Sequence, residues 1–263
     1  MSKKQNILEL FKEINVDKSW SFADKCRNET RYLTHGYHRY PAKFIPQIVS
    51  RLIEKYTSPG DLIVDPFGGC GTTFVESKLM CRPSIGVDIN PVAVLITKAK
   101  ITPIEPLKLE QTFIDLKDKL QTYAQTTKIS VPEHEKIDYW FRPEEKRKLA
   151  FLFSEISKIE NQDIRNFFYC GFSNILKNCS IWLQKSNKPT RDLKKKPADP
   201  FVAFSRQVKL MLLGNADYFN LLKKRGCAKT SCKVYCADAR EIPVESNSVK
   251  LIVTSPPYVT SYE

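Results

Sequence analysis

The segment Asp65-Pro66-Phe67-Gly68-Gly69-Cys70-Gly71-Thr72-Thr73 follows the apolar run Leu62-Ile63-Val64 and precedes a stretch with helical spacing. An open α/β sheet presents a ligand site in this order of strand, glycine-rich turn and helix, at the carboxyl ends of its strands, where glycines let the backbone approach a ligand. The segment is neither G-x-G-x-x-G nor a P-loop, and no Gly-Lys-Ser/Thr follows to grip a phosphate, so the ligand need not carry one. Asp88, about twenty residues beyond Gly68, closes a second apolar run at the place from which a carboxylate accepts hydrogen bonds from ribose hydroxyls. Asp238, in Tyr235-Cys236-Ala237-Asp238-Ala239-Arg240, closes a third and is placed to accept from an adenine amino group. A nucleoside without phosphates suits all three strand ends, and S-adenosyl-L-methionine is the expected cofactor.

A fourth run, Val249-Lys250-Leu251-Ile252-Val253, leads into Thr254-Ser255-Pro256-Pro257-Tyr258. Two consecutive prolines fix φ and remove two donors, which leaves carbonyls in set directions to accept from an amino group. Tyr258 offers a π-face to a base rotated out of a duplex. An exocyclic amine held in line with a sulfonium methyl, its hydrogens engaged by acceptors, needs no cysteine nucleophile. Alone, the motif reads more readily as a proline-stiffened turn; the order of the four motifs carries the chemistry.

The elements that must position these residues follow from the same pattern. Phe44, Ile45, Ile48, Val49, Leu52 and Ile53 predict a helix over 43–57, with Pro46 tolerated only in its first turn. Strands are expected at 61–65 and 83–88, and helices at 72–80 and 91–100, with Pro91 in the favoured first position. This βαβα succession implies a parallel sheet with right-handed crossovers. Residues 103–226 read as mostly helical, interrupted by prolines, with a long buried helix over 161–183, before strands return at 232–236 and 250–253. A short amphipathic helix is also expected around Ile7, Leu8, Leu10, Phe11 and Ile14. The layout is therefore an N-terminal cofactor-binding part (1–102), a helical insertion (103–230) and the strands of the last two motifs (231–263).

The chain carries 42 Lys+Arg against 29 Asp+Glu, a formal charge of +13, which suits a polyanionic partner, nucleic acid above all. Lys185, Lys188, Arg191, Lys194, Lys195 and Lys196, interleaved with Trp182, Asn187 and Pro189, are candidates to contact double-stranded DNA; a solvated basic face would look the same. The N-terminus lacks the apolar core of a signal peptide and no stretch is long and apolar enough for a membrane span, so a reduced cytoplasmic setting is expected. Cys227, Cys232 and Cys236 lack a C-x-x-C pair and read as reduced core thiols rather than a metal site. His35 and His38 read either as packing residues or as part of a cofactor lid.

In order, DPFGGCGTT, GVDINP, CADAR and TSPPY resemble motifs I to IV of the amino-methylating DNA methyltransferases, particularly the cytosine-N4 branch of restriction-modification systems. His35-Gly36-Tyr37-His38-Arg39-Tyr40-Pro41-Ala42-Lys43-Phe44 is similar to the segment that closes over the methionine end of the cofactor in that family. The resemblance implies a Rossmann-like α/β methyltransferase sheet, here with about four parallel strands and a large helical insertion. It implies that Tyr40, Pro41, Asp65, Phe67, Gly68, Gly69, Gly71, Thr72, Asp88, Ile89, Asn90, Asp238 and Ala239 line the cofactor site. Ser255, Pro256, Pro257 and Tyr258 would hold the target base, and serine at 255 favours cytosine N4 over adenine N6. RNA guanine-N2 methyltransferases have a similar first motif, but their Asn/Asp-Pro-Pro-Tyr-Gly loop is not matched by Ser255 and Val259. The family sheet has seven strands, so the sequence leads us to expect a second, complementing polypeptide, or else a non-catalytic binding half or a truncated remnant.

Overall fold

The computed structural model describes residues 17–26, 28–41, 43–186 and 188–256. The expected N-terminal amphipathic helix, together with Asn187, Pro257 and Tyr258, lies outside the described residues.

Four short strands form one parallel sheet: β1 (Ile63–Asp65), β2 (Ser84–Asp88), β3 (Cys232–Cys236) and β4 (Leu251–Ile252), in the order β3-β2-β1-β4. Val64 pairs with Ile85 on one side and Ile252 on the other, while Gly86 pairs with Val234. The chain thus runs outward from β1 in one direction to β2 and β3, then returns to the far side of β1. Such a reversal opens a crevice beyond the carboxyl ends of the strands. The 65–71 loop, Asp88, Asp238 and Ser255 all follow those ends.

The helices of the sheet layer start where their caps dictate. α1 (Pro46–Tyr56) begins at Pro46 rather than at residue 43, because proline is accommodated only in the first turn; it buries Val49 and Ile53 against Ile63 and Val253. α2 (Thr72–Leu79) is buried along its whole length. α3 (Pro91–Ile101) has Pro91 in its first turn, and the Asn90 side chain accepts from Val92 N–H.

Five further helices fill the stretch between β2 and β3: α4 (Pro106–Gln121), α5 (Glu135–Trp140), α6 (Pro143–Ser157), α7 (Gln162–Ile175) and α8 (Pro200–Lys224). Phe113, Phe167, Phe168 and Phe204 share one apolar cluster with Ile96 and Ala99 of α3, so these helices build on the outer side of the sheet layer. The long helix expected over 161–183 is shorter. It stops at Ile175 because tertiary backbone bonds capture the next residues: Ala198 N–H donates to Asn178 O, and Ile181 N–H to Trp140 O. Trp182 then stacks on Trp140 with ring centroids 5.0 Å apart and bridges Arg191 in antiparallel fashion. Cys227 also departs from expectation: it is joined to Cys81 in a disulfide, whereas Cys232 and Cys236 are free. No helix among the described residues is long and apolar enough to cross a membrane.

Candidate active site

A cleft of about 580 Å³ opens over the carboxyl ends of the strands, within the size range of small-molecule sites. Tyr40, Pro41, Asp65, Phe67, Gly68, Gly69, Thr72, Asp88, Ile89, Asn90, Asp238, Ala239, Ser255 and Pro256 all line it. Residues distant in sequence thus meet at one opening. Gly71 does not line it. Its φ of +82° caps α2, and a β-carbon there would sit 2.8 Å from Thr97 Oγ1, so this glycine serves the turn and its packing. Gly69, by contrast, has only Tyr40 and its own loop near its open face.

Hydrogen bonds fix the loop. Phe67 N–H donates to Asp65 Oδ1 at 3.1 Å and the Thr73 hydroxyl to Asp65 Oδ2 at 2.7 Å. Burial pushes the Asp65 carboxyl above its ordinary range, opposed by these donors. Asp88 ties the first two motifs together, because its Oδ2 accepts from Gly69 N–H and its Oδ1 from Asn90 N–H, both at 2.8 Å. Lys100, fully buried at the end of α3, donates from Nζ to Cys70 O at 2.7 Å and so holds the loop from beneath. Asp238 is engaged differently from expectation: Arg240 grips both its oxygens, at 2.9 and 2.8 Å, and draws its carboxyl down to about 2. Oδ1 also accepts from Arg240 N–H at 2.9 Å, so it is Oδ2 that keeps a second lone pair for another donor.

His35 and His38 lie behind the cleft. His35 Nε2 is 2.7 Å from Glu76 Oε1, which also accepts from the Tyr32 hydroxyl at 2.6 Å. Burial holds His35 below the ordinary histidine range and lowers His38 to about 4. Burial thus favours the neutral form of both rings, and neither lines the cleft. Sequence reasoning missed several lining residues: Lys43, Phe44, Pro66, Cys70, Thr73, Ala237 and Arg240. All of them lie inside the quoted segments 35–44, 65–73 and 236–240, so taking those segments whole rather than residue by residue would have found them.

The chemistry of the cleft fits a nucleoside. A carboxylate at the end of β2 offers paired acceptors, Phe44, Phe67, Ile89 and Pro256 supply apolar walls, and no phosphate-gripping loop is present. Of the basic residues between 185 and 196, Lys185, Lys188, Arg191, Lys194 and Lys196 are exposed. The Arg191 guanidinium sits 4.1 Å over the Tyr139 ring. Lys195 is turned inward: its ammonium donates to Lys177 O, Trp182 O and Gln184 Oε1, which uses all three of its hydrogens.

A parallel sheet in the order 3-2-1-4, with a nucleoside-sized cleft at its switch point, defines a Rossmann-like methyltransferase fold. Residues 2–99 match the family model described as DNA methylase. A Type II methyltransferase of Kocuria varians, M.MvaI, is 31% identical over 272 residues, spanning 97% of this chain and 60% of that relative. M.MjaII, a Type II methyltransferase of Methanocaldococcus jannaschii, is 39% identical over 90 residues, 34% of this chain and 17% of the relative. M.BsoBI, a Type II methyltransferase of Geobacillus stearothermophilus, is 35% identical over 97 residues, 30% of this chain and 19% of the relative. The chain thus spans less than two thirds of the length of each of these relatives, and the matches support a DNA methyltransferase family.

Proposed function

We propose that this chain carries the cofactor-binding part of an S-adenosyl-L-methionine-dependent DNA methyltransferase of a restriction-modification system, acting in the cytoplasm on the exocyclic N4 of cytosine. The observation that carries the reading is the convergence of Asp88, the 65–70 loop, Tyr40, Pro41, Ser255 and Pro256 on one cleft. In this reading Asp88 accepts from the ribose hydroxyls, Asp238 from the adenine amino group, and Phe67 and Ile89 flank the base. The cofactor supplies a sulfonium methyl. The chain's own task is to orient the target: carbonyls of the 254–258 stretch accept the amine hydrogens and direct the nitrogen lone pair at the methyl, with Tyr258 against the base. Ser255 favours cytosine over adenine.

Lys185, Lys188, Arg191, Lys194 and Lys196 would contact DNA phosphates, with Lys195 shaping the loop that bears them. We also propose that further polypeptide completes the sheet. Among the described residues β4 is hydrogen-bonded to β1 alone, and Ile252 on it is 61% exposed, which makes an apolar edge suited to pairing. The three parts named from sequence would then serve the cofactor (residues 1–102), DNA (103–230), and the cofactor's adenine together with the target base (231–263).

One experiment tests the reading. The protein is incubated with methyl-labelled S-adenosyl-L-methionine and duplex DNA, with and without the polypeptide expected to complete the sheet. The DNA is then digested and its nucleosides separated. Label in N4-methylcytosine is expected; label only in N6-methyladenine or in 5-methylcytosine would overturn it.

A further inference from the structure

The segment that reaches the cleft at Tyr40 and Pro41 is held from behind by residues far from the cleft. Gln207 on α8 donates from Nε2 to Tyr37 O at 2.8 Å, and its Oε1 accepts from Asn174 Nδ2 on α7 at 2.7 Å. Asn174 Oδ1 in turn accepts from Arg39 N–H at 2.9 Å. Two side chains thus form one chain of three hydrogen bonds that grips the backbone on both sides of His38. His38 adds a contact of 3.2 Å from Nε2 to Ser173 Oγ. The preceding turn, Leu33–Gly36, packs against α8 at Gly214, where a β-carbon would come within 2.5 Å of Leu33 O. Tyr37 itself is buried, edge-on to Phe167.

None of these partners lines the cleft, yet they set the path of the backbone that delivers Tyr40 and Pro41 to it. An amide side chain suits this use, because it offers a donor and an acceptor in a fixed plane and carries no charge to desolvate. We propose that Asn174 and Gln207 are positioning residues of the cofactor site: they clamp the Tyr37–Arg39 backbone so that Tyr40 and Pro41 stand over the cleft before the cofactor arrives. The helices between β2 and β3 therefore serve cofactor binding as well as any DNA contact. Preorganisation of this kind raises affinity by removing the ordering cost from the binding step. The inference rests on the cofactor reading above and adds two residues to it.

The test uses the whole chain with Asn174→Ala and Gln207→Ala, and with Lys209→Ala as a control exposed on the same helix. Two readouts are taken. Hydrogen exchange of the cofactor-free protein should show faster exchange in peptides covering Tyr37–Tyr40 in both clamp variants and no change in the control. Titration with S-adenosylhomocysteine should show about tenfold weaker binding at unchanged stoichiometry, as expected for losing one or two net hydrogen bonds. A merely structural role would lower the fraction of binding-competent protein and leave its affinity intact, which would overturn the proposal. Unchanged exchange in Tyr37–Tyr40 would also overturn it, whatever the ligand does. If the unaltered protein binds no S-adenosylhomocysteine, the cofactor reading itself fails and the clamp's role falls with it, a result that the wild-type titration separates from the other two.

Discussion

Asp88→Ala tests the cofactor reading at a single carboxylate. The two oxygens of Asp88 accept from Gly69 N–H and Asn90 N–H at 2.8 Å, so the substitution strips both amides of a charged acceptor. The Asn90 amide lies at an exposed residue and is resolvated, whereas Gly69 is half-buried, so the stability cost is about 1–2 kcal/mol rather than the sum of two charge-assisted bonds. The affinity cost is larger. Two ribose hydroxyls that lose a charged acceptor forfeit roughly 3–6 kcal/mol at ~1.5–3 kcal/mol each, which is a factor of about 10² to 10⁴ in Kd. Asp88→Asn keeps one acceptor oxygen and puts a donor in place of the other, and should fall between, at about ten- to a hundredfold. Isothermal titration with S-adenosylhomocysteine gives the affinity, and urea denaturation in parallel confirms that the variants are folded. A folded Asp88→Ala protein that binds within about threefold of wild type would refute the assignment of this carboxylate to the ribose.

Other expectations follow from the same geometry. Gly71→Ala combines a left-handed backbone, costing about 1–2 kcal/mol, with a contact at 2.8 Å to Thr97, and should lower unfolding stability in urea by roughly 2–5 kcal/mol. The pKa of His38 is lowered from 6.5 to about 4 by burial, so the stability this neutral ring contributes is complete above about pH 6.5 and is lost as pH falls through about 4. His38→Gln should accordingly flatten the acid limb of a denaturation-versus-pH profile by up to about 3 kcal/mol, with His35 contributing in the same direction. Replacing Lys185, Lys188, Lys194 and Lys196 together by alanine should reduce the slope of log K for DNA against log salt by about 3–4. Lys195→Ala should instead lower the unfolding midpoint, because its ammonium bridges Lys177, Trp182 and Gln184.

The sheet was readable because each of its motifs is local. An apolar run ending in Asp65 and a glycine turn, or in Asp88 and Asn90, carries its own strand, loop and cap within about ten residues, and proline marks the starts of α1 and α3. What could not be read was whatever depends on partners remote in the chain. The end of α7 at Ile175 is set by Ala198 and Trp140, and nothing between Ile175 and Leu183 breaks a helix by composition. Lys195 resembles its neighbours in sequence and differs from them only because three acceptors surround it in the folded loop. Cys227 likewise meets Cys81 across 146 residues, a pairing that spacing within 227–236 gave no reason to expect.

The same distinction bears on how the helical region relates to the cleft. A basic insertion in a methyltransferase sequence reads most simply as an appendage for DNA, and then its loss should leave the cofactor site intact. Its packing argues otherwise. Ile96 and Ala99, on the helix that follows Asp88, are buried in the same cluster as Phe167, Phe168 and Phe204, while Tyr37 enters that cluster from the segment leading to Tyr40. Removing α7 and α8 would expose this face of α3, and it would strip Tyr37 O and Arg39 N–H of their partners at one stroke. Apolar exposure on that scale outweighs the few kcal/mol that one loop contributes. This shared packing predicts that the cleft and the helical region fold together, so a deletion meant to separate the proposed DNA contact from cofactor binding should abolish both. The Asn174 and Gln207 point variants, which leave the apolar cluster whole, are the ones able to separate them.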